Sequence, residues 1–274
     1  MSILSNPHTH TTYCDGNATA REMVEAAVAR GFTSLGFSGH SYTVFDESYA
    51  MSPGGMGRYI REIRGLQQEY KDKLDILLGV EWDYYGQIDR EDYDFIIGSV
   101  HYLKSPLTGD HYTVDYTREE LESCLEEGFH GNVMAMLTTY YENVTDMAVN
   151  RKPTILGHFD LIRKLNGDGH FFDETSPAYL HLAGQAIEKA AAAGAVLEVN
   201  TGGVYRGYRS TPYPAEPLLR RFCKLGGRVI VSSDAHDTEA LDFHFDETER
   251  MLADIGFKEV QILTSKGFVP QKLK

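Results

Sequence analysis

The chain has 274 residues, 42% of them hydrophobic and 24% charged, which is ordinary for a globular protein and long enough for a large single core. Its 26 basic and 40 acidic residues leave a formal net charge of −14, a surface that repels phosphate backbones. No basic run or basic–aromatic stripe offsets it, so nucleic acid is not an expected partner. No stretch approaches the roughly 18 apolar residues of a membrane span, and no apolar leader precedes the first histidines, so neither a membrane nor a secretory route is expected. Cys14, Cys124 and Cys223 form no CxxC pair, which suits free thiols in a reducing, cytoplasmic setting.

In chain order, His8 and His10 open the pattern. In extended backbone, residues two apart point to one side, so the two imidazoles converge. A helix is predicted over 19–32, ending at Gly31, followed by a short buried strand over 34–40. A charged amphipathic helix over 56–73 leads to strands over 75–82 and 92–103. A helical region with one or two breaks covers about 117–150, inside a segment of about 104–150. Strand 154–159, helix 177–194, strand 195–200, helix 214–227 and strand 228–236 continue the alternation. A last helix over 246–257 leads into the apolar run at 259–268. Alternating strands and helices predict a parallel sheet covered by helices. With no linker and no repeat, one domain over 1–274 is expected.

His10, His40, Glu81, His101, His158, Asn200 and Asp234 each fall at the C-terminal end of a predicted strand. In (β/α) barrels that rim carries the chemistry. An α/β barrel with one strand fewer than the usual eight is therefore expected, because an open doubly wound sheet does not readily bring so many strand ends to one centre.

Of the 11 histidines, His8, His10, His40, His101, His158 and His236 sit at these ends. His111, His130, His170, His181 and His244 do not, and ordinary structural roles are expected for them. The pairs His8/His10 and Asp234/His236 repeat the same spacing near opposite ends of the chain, and in a closed barrel the first and last strands are neighbours. Together with Asp15 and Glu81, these nitrogen and oxygen donors suit zinc, manganese or iron. They are too many for one ion and enough for two or three, with Glu81 bridging a pair. Adjacent divalent ions acidify a shared water and clamp an anionic substrate, so hydrolysis of a phosphate ester is the expected chemistry. Cys14, beside this cluster, is expected to be a bystander more than a ligand.

The ordered set HTHTTYCDG (8–16), GFSGH (36–40), GVEWDY (79–84), GSVHYL (98–103), GHFD (157–160) and SSDAH (232–236) resembles the polymerase-and-histidinol-phosphatase (PHP) superfamily. The resemblance runs from Pro7 to about Gly267. It implies a distorted (β/α)7 TIM-like barrel with a trinuclear metal centre. Carried over by residue, it implies His8, His10, Glu81 and Asp234 around a first ion, with Glu81, His101 and His158 around a second. Asp15, His40 and His236 would surround a third; some members have histidine where this chain has Asp15. GHFDLIRK (157–164) and the loop at 198–214 resemble the branch that removes phosphate from L-histidinol phosphate in histidine biosynthesis.

The implied mechanism is in-line attack by a hydroxide shared between two ions, with Glu81, Asp234 and His236 as the catalytic set. The proton for the leaving oxygen would come from Asp234, from His236 or from water. Arginine forks fit phosphoryl oxygens, which makes Arg163 and Arg206 the expected phosphate contacts. Asp160 or Asp83 would meet the substrate's ammonium, although Asp83 could equally support a metal ligand. Tyr102, Tyr205 and Tyr208 are candidates for the pocket wall. A phosphoesterase for another small ester, such as a nucleotide or sugar phosphate, is the alternative. A metal-binding module without catalysis is the lesser one.

Overall fold

The computed structural model describes residues 3–273. Its strands are β1 (Ser5–Asn6), β2 (Ser34–Phe37), β3 (Asp75–Asp83), β4 (Phe95–Ser99), β5 (Tyr102–Lys104), β6 (His111–Thr113), β7 (Ile155–Leu156), β8 (Val196–Asn200), β9 (Arg228–Ser232), β10 (Glu259–Thr264) and β11 (Gly267–Lys272). The helices are α1 (Ala20–Ala29), α2 (Pro53–Tyr70), α3 (Arg118–Ser123), α4 (Val133–Asp146), α5 (Pro177–Ala192), α6 (Gly202–Tyr205), α7 (Glu216–Lys224) and α8 (Phe245–Ile255). Nine strands form one sheet in the order β1-β2-β3-β4-β7-β8-β9-β10-β11. All neighbours are parallel except the terminal β10–β11 hairpin.

The sheet is open but strongly curled. Its early and late strands meet beyond their regular ladders: His10 N–H donates to Ala235 O at 2.8 Å and Ala235 N–H to His8 O at 3.0 Å, around the single bridge Thr9–Ala235. At the other end, Ser34 Oγ donates to Leu263 O at 2.8 Å. Buried Asn6 fastens the first of these seams, giving its amide protons to Ser233 Oγ and Leu241 O while its Oδ1 accepts His8 N–H.

A strand alternates faces with period two, and here one face is layered along its length. Near the N-terminal ends, Leu77, Phe95, Ile97, Ile155, Val196, Ile230 and Leu263 form an apolar cluster. Two to six residues further on the same rows lie Gly79, Glu81 and Asp83, then Ser99 and His101, then Glu198 and Asn200, then Ser232 and Asp234. The concave face therefore passes from a dry floor to a polar rim, and that rim is where the predicted functional side chains fall. Two glycines make room for the floor: a Cβ at Gly79 would lie 2.4 Å from the Phe95 ring, and one at Gly36 2.7 Å from it.

The helices follow their sequence signals closely. Thr19 and Glu22 form a capping box on α1; Ser52 before Pro53 and Ser176 before Pro177 start α2 and α5. The expected strand over 92–103 is instead β4 and β5, with His101 in the break; β5 turns away to pair with β6. The expected helix over 117–150 is α3 and α4, each ending in a π-helical turn, at Cys124–Gly128 and Met147–Arg151. Leu121, Met136, Leu137, Tyr140, Tyr141 and Met147 bury this segment in the main core, so it packs against the sheet. The run over 259–268 divides into the β10–β11 hairpin at Thr264–Gly267, where Gly267 takes φ +96°. Among the described residues no helix is long and apolar enough to cross a membrane.

Candidate metal centre

Glu81 is the hub of the rim. It is buried near the end of β3, where the inward row of that strand carries it to the centre. Its Oε1 lies 2.8 Å from His158 Nε2 and 3.3 Å from His101 Nε2, and accepts the Ser99 hydroxyl at 2.7 Å. Its Oε2 lies 3.2 Å from His8 Nε2, 3.5 Å from His10 Nε2 and 3.1 Å from His40 Nδ1. Each oxygen thus faces its own set of imidazoles, the disposition a bridging carboxylate requires.

Asp234 follows β9 in the left-handed region, φ +51°, which costs a non-glycine residue free energy and tends to persist where a site demands it. That turn brings Oδ1 to 3.1 Å from His10 Nε2 and 3.6 Å from both His8 Nε2 and His236 Nδ1. Asp15 closes the outer side: Oδ1 lies 3.3 Å from His10 Nδ1, and Oδ2 lies 3.0 Å from His236 Nε2 and 3.6 Å from His40 Nε2. The rings pack on one another, with His10 stacked on His236 at 4.2 Å between centroids. All the expected ligands, His8, His10, Asp15, His40, Glu81, His101, His158, Asp234 and His236, are brought to this one cluster.

The electrostatics demand positive charge at the centre. Burial opposes ionisation of Glu81, yet His8, His40 and His101 hold its carboxyl well below the usual range. Burial likewise opposes charge on Asp234, but Arg206 and His8 outweigh it. Burial alone would lower the His8 pKa; Glu198, Glu81 and Asp234 instead push it up to about 10. The Nε2 atoms of His8 and His10 are buried with no hydrogen-bond partner, although both face carboxylate oxygens. Lone pairs facing lone pairs in a buried site require protons or metal ions between them, so the donor set fits a divalent cation. Groups able to converge on one ion include His8/His10/Glu81, His40/Glu81/His101 and His10/Asp15/His40/His236. They can coordinate one or two divalent ions.

Two supporting residues, Glu198 and Asp115, were not expected, and a third, Asp83, had two expected roles. Glu198, wholly buried in β8, lies 2.6 Å from His8 Nδ1 and accepts the His158 backbone N–H at 2.6 Å. Its signal was present, since Val196, Glu198 and Asn200 share one inward row. Asp83 resolves toward support of a ligand: its Oδ2 accepts His101 N–H at 3.1 Å and lies 3.4 Å from His101 Nδ1. Asp115 pairs with Lys164 at 3.0 Å. Against the cost of burial, Lys164 and His101 hold its carboxyl below the ordinary range.

The expected substrate contacts fall differently. Arg206 reaches the cluster, donating Nη2 to Asp234 Oδ2 at 2.8 Å and Nη1 to Asp234 O at 3.1 Å, with its buried Nε unpartnered. Arg163 is enclosed between Asp160, 2.7 Å from Nη1, and Glu174, 2.7 Å from Nε. Asp160 departs from the expectation of a carboxylate meeting an ammonium. It is fully buried and accepts Arg163 and the Ala215 backbone N–H. β7 ends at Leu156; beyond it His158 still reaches the rim, but two residues further the chain has left the strand and Asp160 turns to Arg163 and Ala215. Tyr102 donates to Asp46 and Tyr205 to Asp237, and Tyr208 lies half-exposed under Lys164. Cys14 Sγ sits 3.5 Å from His10 Nδ1 and belongs to none of the convergent groups. Of the other histidines, His111 stacks on Phe45 and His170 is exposed beside Phe171.

The PHP domain model matches residues 6–202. A protein of Deinococcus radiodurans named probable histidinol-phosphatase is 30% identical over 95% of this chain and 96% of its own. Two solved structures share the fold at 21% identity. One, from Listeria monocytogenes, has a TM-score of 0.75 over 89% of this chain and 99% of that one. The other, a histidinol phosphate phosphatase from Lactococcus lactis complexed with Zn, L-histidinol and phosphate, has a TM-score of 0.69 over 97% and 98%. The fold and the site thus define a metal-dependent phosphoesterase acting on a small phosphate ester. The chain belongs to the PHP superfamily, on its histidinol-phosphatase branch.

Proposed function

We propose that this protein hydrolyses the monoester L-histidinol phosphate to L-histidinol and phosphate, as a single PHP-type domain in which seven parallel strands, β1, β2, β3, β4, β7, β8 and β9, make up a distorted (β/α)7 barrel. The observation that carries the reading is Glu81, with Oε1 facing His101 and His158 and Oε2 facing His8, His10 and His40. Asp234 would complete the His8/His10 side, and Asp15, His40 and His236 would hold a third ion. Zinc, manganese and iron all suit these donors. When bound, such ions supply an activated water at neutral pH and polarise the phosphoryl oxygens.

The chain's own groups do the rest. Arg206, held against Asp234, is within the cluster's reach and offers a guanidinium to a phosphoryl oxygen. Asp234 Oδ1 and His236 flank the same space, and either of them, or water, would pass a proton to the leaving oxygen. An aromatic and acidic cavity of about 280 Å³, lined by Phe45, Asp46, Tyr102, His111 and Glu120 among others, has the character that an imidazole and an ammonium favour. The relatives named for this activity support the same substrate.

The test is phosphate release by zinc- or manganese-loaded enzyme from L-histidinol phosphate beside nucleotide, sugar and aryl phosphates, with His10→Ala as control. Strong preference for L-histidinol phosphate, lost in the control by more than the 10–100-fold typical of a supporting residue, is the expected result. A preference for another ester would retain the metal chemistry and discard the substrate. Metal binding without any turnover would overturn the catalytic reading.

A further inference from the structure

Glu198 occupies the inward row of β8 between Val196 and Asn200, with no accessible surface and, among the described residues, no lysine or arginine bonded to it. A buried carboxylate without a cationic side chain is costly unless its lone pairs are filled. Here they are filled two by two. Oε1 lies 2.6 Å from His8 Nδ1 and accepts the Ser232 hydroxyl at 2.6 Å. Oε2 accepts the His158 backbone N–H at 2.6 Å and the Asn200 amide at 3.1 Å. The donors come from four separate stretches of the inner face: the segment after β1, the segment after β7, β8 itself and β9.

We propose that Glu198 is a positioning residue that commits His8 to one tautomer and ties it to the segment bearing His158. With its other three sites taken by fixed donors and no proton of its own to give, Glu198 can only accept from His8, so the His8 proton belongs on Nδ1. In the singly protonated ring that a metal ion requires, the lone pair of His8 is then left on Nε2, the atom 3.2 Å from Glu81 Oε2 and 3.6 Å from Asp234 Oδ1. The same carboxylate fixes the peptide N–H of His158, whose Nε2 lies 2.8 Å from the other oxygen of Glu81. One residue, touching neither metal nor substrate, thereby sets two ligands on opposite sides of the bridging carboxylate. This rests on the reading of His8 and His158 as ligands, but not on the choice of substrate.

Glu198→Gln isolates the claim, because it keeps the shape and replaces one acceptor oxygen by a donor. The His158 backbone N–H cannot reverse, so the amide oxygen turns toward it and the NH2 faces His8 Nδ1. His8 must then carry its proton on Nε2, where it blocks coordination.

The experiment is long-range ¹H–¹⁵N spectroscopy of histidine-labelled full-length protein, with and without zinc, using His8→Ala to assign the His8 signals. It is paired with zinc titration against a chelating indicator. In zinc-bound wild type, a protected Nδ1–H pattern for His8 is expected. In Glu198→Gln the expected result is a switch to the Nε2–H pattern and a zinc affinity lower by about 10–100-fold, with the metal-free protein still folded by circular dichroism. Glu198→Asp, which keeps the acceptors, should recover the Nδ1–H pattern. An Nε2–H pattern in zinc-bound wild type overturns the proposal even if no variant folds. So does a Glu198→Gln protein with unchanged tautomer or unchanged zinc affinity. None of these readouts involves a phosphate ester, so failure of the proposed substrate leaves them intact.

Discussion

Protons and metal ions compete for the centre, and the competition has a calculable pH dependence. In the metal-free site, burial disfavours a charged His8, but Glu198, Glu81 and Asp234 overcome it and push its pKa up to about 10 from the ordinary 6.5. His10 and His101 are also raised well above that value, against burial, His10 mainly through Asp15 and Asp234 and His101 mainly through Glu81. At pH 7, some three units below its pKa, His8 is protonated by about 10³ to 1, and displacing that proton costs ~4 kcal/mol. Metal affinity should therefore rise about tenfold per pH unit for each proton displaced, by about 10³ between pH 6 and 9 for His8 alone. Protons on His10 and His101 would steepen the slope toward three.

Zinc titrations against a competing chelator at each pH give the slope. Calorimetry at pH 7 in two buffers of different ionisation heat counts the protons released. A slope below one, or no proton release at pH 7, would refute the reasoning. The sign for stability follows from the same values. A raised histidine stabilises the metal-free fold fully below pH 6.5 and loses that contribution as pH climbs through about 10. The thermal midpoint of metal-free protein should thus decline across that window more steeply than that of the loaded protein. Glu81 and Asp234, held well below their ordinary ranges, act in the opposite direction and lose their contribution only on acidification.

Two further outcomes follow from packing and support. Gly79→Ala places a Cβ 2.4 Å from the Phe95 ring in the floor beneath the site and should destabilise the fold by about 1–3 kcal/mol; urea unfolding measures it, and a change within about 0.5 kcal/mol would mean that the floor gives way freely. Asp83→Asn removes the charge facing His101 Nδ1 at 3.4 Å and should weaken zinc binding by about 10-fold in the same titration, whereas an unchanged constant would show that backbone alone orients His101.

The parts of the site legible in the sequence are those set by strand periodicity. Glu81, His101 and Asp234 could be placed because apolar runs mark strands and the polar residue ending each run marks the rim, and His8 and His10 because residues two apart in extended backbone share a side. Asp160 was misplaced because the same logic was carried past Leu156, where β7 ends and a 3-10 turn at Leu161–Arg163 begins. Glu198 was passed over because it lies inside β8 and not at its end. A single acidic residue within an apolar strand reads as a solvent-facing alternate unless its row is traced through Val196 and Asn200. The β4–β5 break could not be seen because Val100 and then Tyr102 and Leu103 continue the apolar pattern on both sides of His101 with no Gly or Pro between them, and only the pairing of β5 with β6 reveals it.

The layering of the concave face explains why these carboxylates are tolerated under a surface already so acidic. Glu81, Asp83, Glu198 and Asp234 are all buried, and among the described residues bonded to them Arg206 is the one permanently charged cation, paired with Asp234. An apolar interior does not hold that much negative charge unpaired. Below it, Phe95 and its neighbours exclude water from the floor; around it, hydroxyl and backbone donors fill particular lone pairs without neutralising charge. What remains is a deficit of positive charge at the point where the imidazole nitrogens converge. Protons make it up in the metal-free protein at neutral pH, and divalent ions are the replacement the donor geometry admits. Metal binding is thus continuous with the folding of the sheet: the same inward rows that exclude water from the floor leave a charge at the rim that only a cation can balance.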